Sequence, residues 1–120
     1  MINFILYNKD TEEHYGDNVF YIGKGSMLAN PYTHEPDKDT DERCIKNSRV
    51  EAVNAYEKYF YWCMKNKPEF KMEFDSLKNA CKSGQTIYVG CHCHPKKCHG
   101  DFIKKKIREQ VIKEELQEKI

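Results

Sequence analysis

From Cys91 to His99 the chain reads CHCHPKKCH, three cysteines and three histidines in nine positions. Three chemistries use such a set. Zinc takes cysteine and histidine ligands, and Cys91, Cys93, Cys98 and His99 would supply them, with His14, His34 or Cys44 as donors from elsewhere. Zinc sites usually join ligand pairs from separated segments, however, and one C-x-C-x4-C loop fills only half to three-quarters of a tetrahedron. Thiol chemistry is the second reading. Cys98 stands just before a predicted helix start, where the helix dipole and nearby Lys96 and Lys97 favour a thiolate. No C-x-x-C pair is present, so a thioredoxin-type role has no support. The third reading is anion binding by amides at that helix start. His99 would donate a hydrogen bond or exchange a proton near neutrality. Asp101 would cap the helix or orient a ligand hydroxyl, and the cap is the simpler role.

A second stretch, YIGKGSMLANPY from Tyr21 to Tyr32, has the make-up of an anion cradle. Gly23 and Gly25 let a ligand approach the main chain. Lys24 adds a positive charge, Ser26 a hydroxyl, and Asn30 would fix the loop or read a base or ribose edge. The pattern is neither a full P-loop nor a dinucleotide fingerprint, and a tight glycine turn explains it equally well.

These loops need elements to hold them. Residues 2–7, INFILY, form a continuous apolar run that predicts a strand buried on both faces. Residues 19–22, VFYI, predict a second short strand that delivers the glycine loop. Ser48 and Glu51 form an S-x-x-E capping box, and Ala52, Tyr56, Tyr59, Phe60 and Cys63 continue at helical spacing until Pro68. A second helix is predicted from Glu69 to about Lys82, closed by Gly84. QTIYVGCHC, residues 85–93, reads as a strand, and a helix starts near His99 or Gly100. Its stripes, Ile103, Ile107 and Val111 beside Ile112, Leu116 and Ile120, predict a broad buried face. The order strand, strand, helix, helix, strand, helix predicts a small layered α/β domain, Rossmann-like, with a short, mostly parallel sheet flanked by helices. Two unusual loops leaving strand ends could then face one cleft.

The 120 residues suffice for a single domain, residues 1–120. Within it, residues 33–47 carry many charges and little apolar material, and predict a mobile loop or lid beside the cleft. Twenty basic residues against nineteen acidic give a net charge of +1, which offers no nucleic-acid signal. No apolar run is long enough to span a membrane. The first residues lack signal-peptide character, so the expectation is a cytoplasmic protein with reduced thiols. Cys63 and Cys81, set in helical patterns, are expected to be small buried apolar groups.

In order and spacing, the two loops together resemble the small phage and bacterial family catalogued as domain of unknown function 4326. The matching positions are Tyr21-Ile22-Gly23-Lys24, Ala29-Asn30-Pro31-Tyr32, Arg49 at a helix start with Tyr56 or Tyr59 after it, Gly90-Cys91-His92-Cys93, Pro95 and Cys98-His99-Gly100-Asp101. Lys24 stands where the family pattern has arginine, which loses bidentate phosphate geometry. Ala29 replaces a glycine, His92 a tryptophan, and His94 a small residue. The extra histidines are therefore this chain's own, which weakens the zinc reading and favours a ligand site at the helix start.

The resemblance carries no function. By analogy with α/β proteins that bind nucleotides or phosphorylated sugars, the expectation is a pocket for a phosphate-bearing, nucleotide-derived small molecule, lined by Gly23, Lys24, Gly25, Ser26, Asn30, Arg49, Cys98 and His99, with no cofactor. Lys24 and Arg49 would neutralise phosphate. Any catalysis would fall to Cys98 or His99, supported by Asp101. The alternative is a structural zinc module on Cys91, Cys93, Cys98 and His99 that presents an interaction surface.

Overall fold

The computed structural model describes residues 2–36, 38, 40–92 and 98–118. Cys93, His94, Pro95, Lys96, Lys97 and Ile120, which figure in the expectations above, lie outside the described residues. The chain folds as an open α/β sheet with three helices: β1 (Asn3–Asn8), β2 (Val19–Tyr21), α1 (Arg49–Asn66), α2 (Pro68–Lys82), β3 (Thr86–Cys91) and α3 (His99–Glu118). The sheet order is β1-β3-β2 and both pairings are parallel. The last strand in sequence is thus the central one. It pairs Asn3↔Thr86 through Asn8↔Cys91 on one side and Val19↔Tyr88 through Tyr21↔Gly90 on the other.

β3 ends at Cys91, two residues earlier than its composition suggests. Its neighbours run out there: β1 turns away at Asn8, whose Oδ1 accepts the Asp10 N–H, and β2 stops at Tyr21. One further bond, from Ile22 N–H to the Gly90 carbonyl at 3.0 Å, guides the glycine loop out along β3.

β1 departs from the expectation of burial on both faces. Phe4 and Leu6 are buried, but Ile5 is 44% exposed. As an edge strand it packs only the face that meets the helices, and period-2 alternation sends Ile5 to the other side. That second face is covered only locally, where His14 stacks on Tyr88 at 4.0 Å and meets the edge of Tyr7 at 4.6 Å.

The main core joins Phe4, Leu6, Ile87 and Val89 of the sheet to Tyr56 and Phe60 of α1, Phe70, Phe74 and Leu77 of α2, and Ile103, Ile107 and Val111 of α3. Cys63 and Cys81 are buried in it, as their helical positions imply. Only one of the two predicted stripes of α3 takes part. Ile112 and Leu116 are 51% and 59% exposed, because an apolar face is buried only as far as a partner surface extends beneath it.

Local chemistry sets the helix boundaries. Ser48 Oγ accepts the Glu51 N–H at 3.2 Å, while the Glu51 carboxylate reaches back to Asn47 N–H at 3.1 Å, one residue beyond the reciprocal box. Lys67 ends α1, and Pro68 opens α2 at the position where a missing N–H costs nothing. Described residues of the 33–47 segment form backbone bonds of their own. Thr33 accepts from Lys46 N–H and donates to the Cys44 carbonyl, both at 2.8 Å, and Glu42–Cys44 form a 3-10 turn capped by Asp41.

Candidate functional site

A cavity of about 560 Å³ opens where β2 and β3 end. Five parts of the chain line it: the glycine loop at Gly23–Gly25, the irregular stretch that follows from Ala29, the described part of the 33–47 segment, the first turns of α1, and the junction of β3 with α3. Seven of the eight residues expected at a ligand site share this lining: Gly23, Lys24, Gly25, Asn30, Arg49, Cys98 and His99. Ser26 and Asp101 do not.

The loop is shaped by its own bonds. Gly25 sits at φ +91°, a conformation closed to most side chains. Ser26 Oγ and N–H both donate to the Gly23 carbonyl, at 2.7 and 3.0 Å, so its hydroxyl closes the turn. Asn30 has a fixing role. Its Nδ2 donates to the Ala52 carbonyl at 3.0 Å and its Oδ1 accepts from Tyr32 N–H at 2.9 Å, bridging Pro31 and tying the loop to α1. Between these points the buried Tyr56 hydroxyl donates to the Leu28 carbonyl at 2.7 Å. Burial pushes this phenol's pKa far upward, so it stays protonated and holds its bond.

At the other wall, α3 starts against the sheet. A Cβ on Gly100 would lie 2.7 Å from Leu6 Cδ2 and 3.0 Å from Ile22 Cδ1, so only glycine fits without displacement. Asp101 is a cap: its Oδ2 accepts the Cys98 N–H at 3.1 Å. The Gly100 N–H goes to Cys98 Sγ at 3.3 Å and the Asp101 N–H to the Cys98 carbonyl at 3.1 Å. Of the amides expected to cradle an anion, those of Cys98 and Gly100 are therefore engaged within the helix start, as is that of Asp101. Cys98 is 2% exposed and its sulfur lies 3.5 Å from that of Cys91, also buried.

His99 differs most from expectation. It is 7% exposed, its ring lies 4.9 Å from that of Tyr56, and its Nε2 is 2.7 Å from the Ile22 carbonyl. A carbonyl only accepts, so Nε2 carries the hydrogen. Burial outweighs that bond and the nearby Asp101 charge, and pushes the pKa down to about 4. The ring is thus neutral near pH 7 and does not exchange a proton there, contrary to the role its type suggests.

Sequence reasoning missed a chain of polar contacts at the rim. His92 Nδ1 is 2.9 Å from Asp10 Oδ1 and its Nε2 is 3.0 Å from the Tyr21 hydroxyl, which also donates to the Lys24 carbonyl at 2.9 Å. Lys9 Nζ lies 4.4 Å from the Tyr21 ring centre. His92 marked itself in the sequence only by standing where the family pattern has tryptophan; nothing paired it with Asp10. Tyr32, Glu35 and Asp41 also line the cavity and were not anticipated. Asp41 is exposed and paired with Arg43 at 2.8 Å, which holds its carboxyl down at about 2. The cavity is therefore polarised, with Lys24 and Arg49 among its basic groups and Glu35 and Asp41 contributed by the 33–47 segment.

Among the described residues, no three histidine, cysteine, aspartate or glutamate side chains converge as a metal site. Cys91 and Cys98 come together, Cys93 lies outside the described residues, and His99 has Nε2 committed to Ile22.

The domain of unknown function DUF4326 matches this chain over residues 5–109. The chain belongs to the DUF4326 family. No curated protein and no solved structure gives a significant match. The DUF4326 match spans the entire cavity lining, from Gly23 to His99. It also spans the contacts that make Gly100, Asn30 and Tyr56 structural at this site. Among the described residues, no helix of this DUF4326 protein is long and apolar enough to cross a membrane.

Proposed function

We propose that this DUF4326 protein binds a phosphate-bearing, nucleotide-derived small molecule in the cavity between the glycine loop and the start of α3. The supporting observation is the meeting of Lys24 and Arg49 at one cavity, with Arg49 half-buried and making no ion pair among the described residues. A buried or half-buried guanidinium is costly to leave without an anion. Tyr32 offers an aromatic surface, and Glu35 and Asp41 offer acceptors for the hydroxyl or amino groups of a nucleoside. With the Cys98, Gly100 and Asp101 amides engaged at the start of α3, phosphate falls to Lys24, Arg49 and the glycine loop. The protein acts in the cytoplasm, in the host's when phage-encoded, by binding or sequestering such a molecule. No cofactor is required. Cys98 and His99 border the cavity and would be the groups nearest any chemistry, with Asp101 holding the Cys98 backbone.

Calorimetric and thermal-shift titration with AMP, a cyclic nucleotide, ADP-ribose and pyrophosphate tests this reading. At least one should stabilise the fold, and Arg49→Gln should weaken it about 10- to 100-fold, the range for a lost charge-assisted hydrogen bond. No stabilisation at millimolar concentration, or full affinity in Arg49→Gln, would reject it.

One observation favours the zinc alternative: the 3.5 Å approach of the Cys91 and Cys98 sulfurs, two of its four ligands. Elemental analysis of protein purified without chelator separates the readings, since stoichiometric zinc lost together with the fold supports the module.

A further inference from the structure

His99 is buried to more than nine-tenths, yet it lines the cavity. Its Nε2–H is spent on the Ile22 carbonyl at 2.7 Å. The other ring nitrogen, Nδ1, therefore carries a lone pair. Nδ1 bonds no described residue. Among the described residues no buried side-chain nitrogen or oxygen lacks a partner, so Nδ1 is not sealed in the core and reaches accessible space. The ring cannot readily turn. Tyr56 lies against it at 4.9 Å, and the backbone beneath it is held by Gly100 against Leu6 and Ile22. Nor does it protonate near pH 7, since burial keeps its pKa at about 4. An acceptor fixed in direction and charge, beside a cavity with Lys24 and Arg49, is complemented by a hydrogen-bond donor on an anionic ligand.

We infer that His99 Nδ1 is a specificity-determining acceptor that selects, among phosphate-bearing ligands, those presenting a hydroxyl or N–H donor to it. This rests on the binding reading above and refines it. Lys24 and Arg49 attract the anion, and His99 favours a sugar or base over a bare phosphate. A ligand that places an acceptor there would face an unpaired lone pair, which is how a buried polar group discriminates. His99 is a neutral reader of the ligand rather than a phosphate ligand or a proton shuttle.

Long-range nitrogen NMR of the intact protein tests the assignment, with the His99 signals identified by their loss in His99→Gln. In the free protein, His99 should show the Nε2–H tautomer from pH 8 to pH 5. On titration with ADP-ribose its Nδ1 resonance should move upfield as it accepts a hydrogen bond, while saturating methyl phosphate at pH 8, a dianion that has the phosphate and no donor, should leave it in place. Ribose 5-phosphate resolves the source: movement with it assigns a hydroxyl, and movement with ADP-ribose alone assigns the base. A proton on Nδ1 in the free protein overturns the inference. So does a stationary Nδ1 with ADP-ribose bound and dependent on Arg49, a result that leaves the binding reading intact. If none of these probes binds, the binding reading fails and this inference falls with it.

Discussion

Lowering the pH should destabilise this protein through His99, and by a calculable amount. In the unfolded chain the ring titrates near its ordinary 6.5, whereas burial holds it at about 4 in the folded state. Between these values the unfolded state binds a proton that the folded state refuses. Stability therefore rises with pH across the window and is lost as pH falls through it. At about 1.36 kcal/mol per unit, the full interval is worth roughly 3 kcal/mol, of which about 2 kcal/mol falls between pH 6.5 and pH 5. This is a sizeable part of the ~5–15 kcal/mol that holds a domain together. Urea unfolding at a series of pH values, for the wild type and His99→Gln, isolates the effect. Glutamine keeps an N–H for the Ile22 carbonyl but does not titrate. The other histidines are common to both proteins and drop out of the difference. The carboxylates of Asp41, held down by Arg43, and Glu114, held down by Lys78 and Lys82, give stability that is lost at lower pH, again in both. The wild type should lose about 2 kcal/mol more than the variant between pH 7 and pH 5. Parallel curves would refute the argument and mean that the imidazole gains a proton without leaving the fold.

Three further outcomes follow from the packing. Tyr56→Phe removes the only donor shown for the buried Leu28 carbonyl and should cost about 1–2 kcal/mol in urea unfolding, with weakened ligand binding because the glycine loop loses its anchor. Gly100→Ala adds a methyl group against Leu6 and Ile22. Overpacking of about 1–3 kcal/mol should exceed the ~1 kcal/mol gained in helix propensity, so the melting temperature should fall by several degrees. Leu116→Lys, on the exposed stripe of α3, should shift stability by no more than about 0.5 kcal/mol; a larger loss in the same melts would reveal a partner surface on that face.

Much of this could be read from the sequence, because it depends on local pattern. Ser48, Pro68 and the helical spacing of Tyr56, Phe60 and Cys63 set α1 and the start of α2 almost to the residue. The glycine loop follows β2, and Cys98 and His99 lie where the chain passes from β3 to α3; these positions put them at one cavity. What could not be read is direction. His99 was visible as a residue at a helix start, but its bond to a carbonyl 77 positions away is set by tertiary packing. The same holds for Tyr56 and Leu28, and for Asp10 and His92 across 82 positions. The apolar stripe of Ile112 and Leu116 announced a face, but not where the partner beneath it stops. The 33–47 segment hid its Thr33–Ile45 bridge because polar residues carry little strand signal, whereas backbone bonds do not depend on side-chain type.

The placement of β3 between two strands that precede it has a consequence for assembly. Asn3 must find Thr86 and Val19 must find Tyr88, so the sheet is closed entirely by contacts distant in sequence. During synthesis, β1 and β2 emerge with unpaired edges and stay so until Cys91 has cleared the ribosome, while α1 and α2 can already dock on each other. Local contacts between α1 and α2 thus need only short loop closure, whereas both strand pairings carry the closure cost of long intervening chain. A chain stopped before Thr86 would have no parallel partner to offer either strand, and its exposed strand edges would make it a substrate for chaperones or proteases rather than a smaller version of the domain.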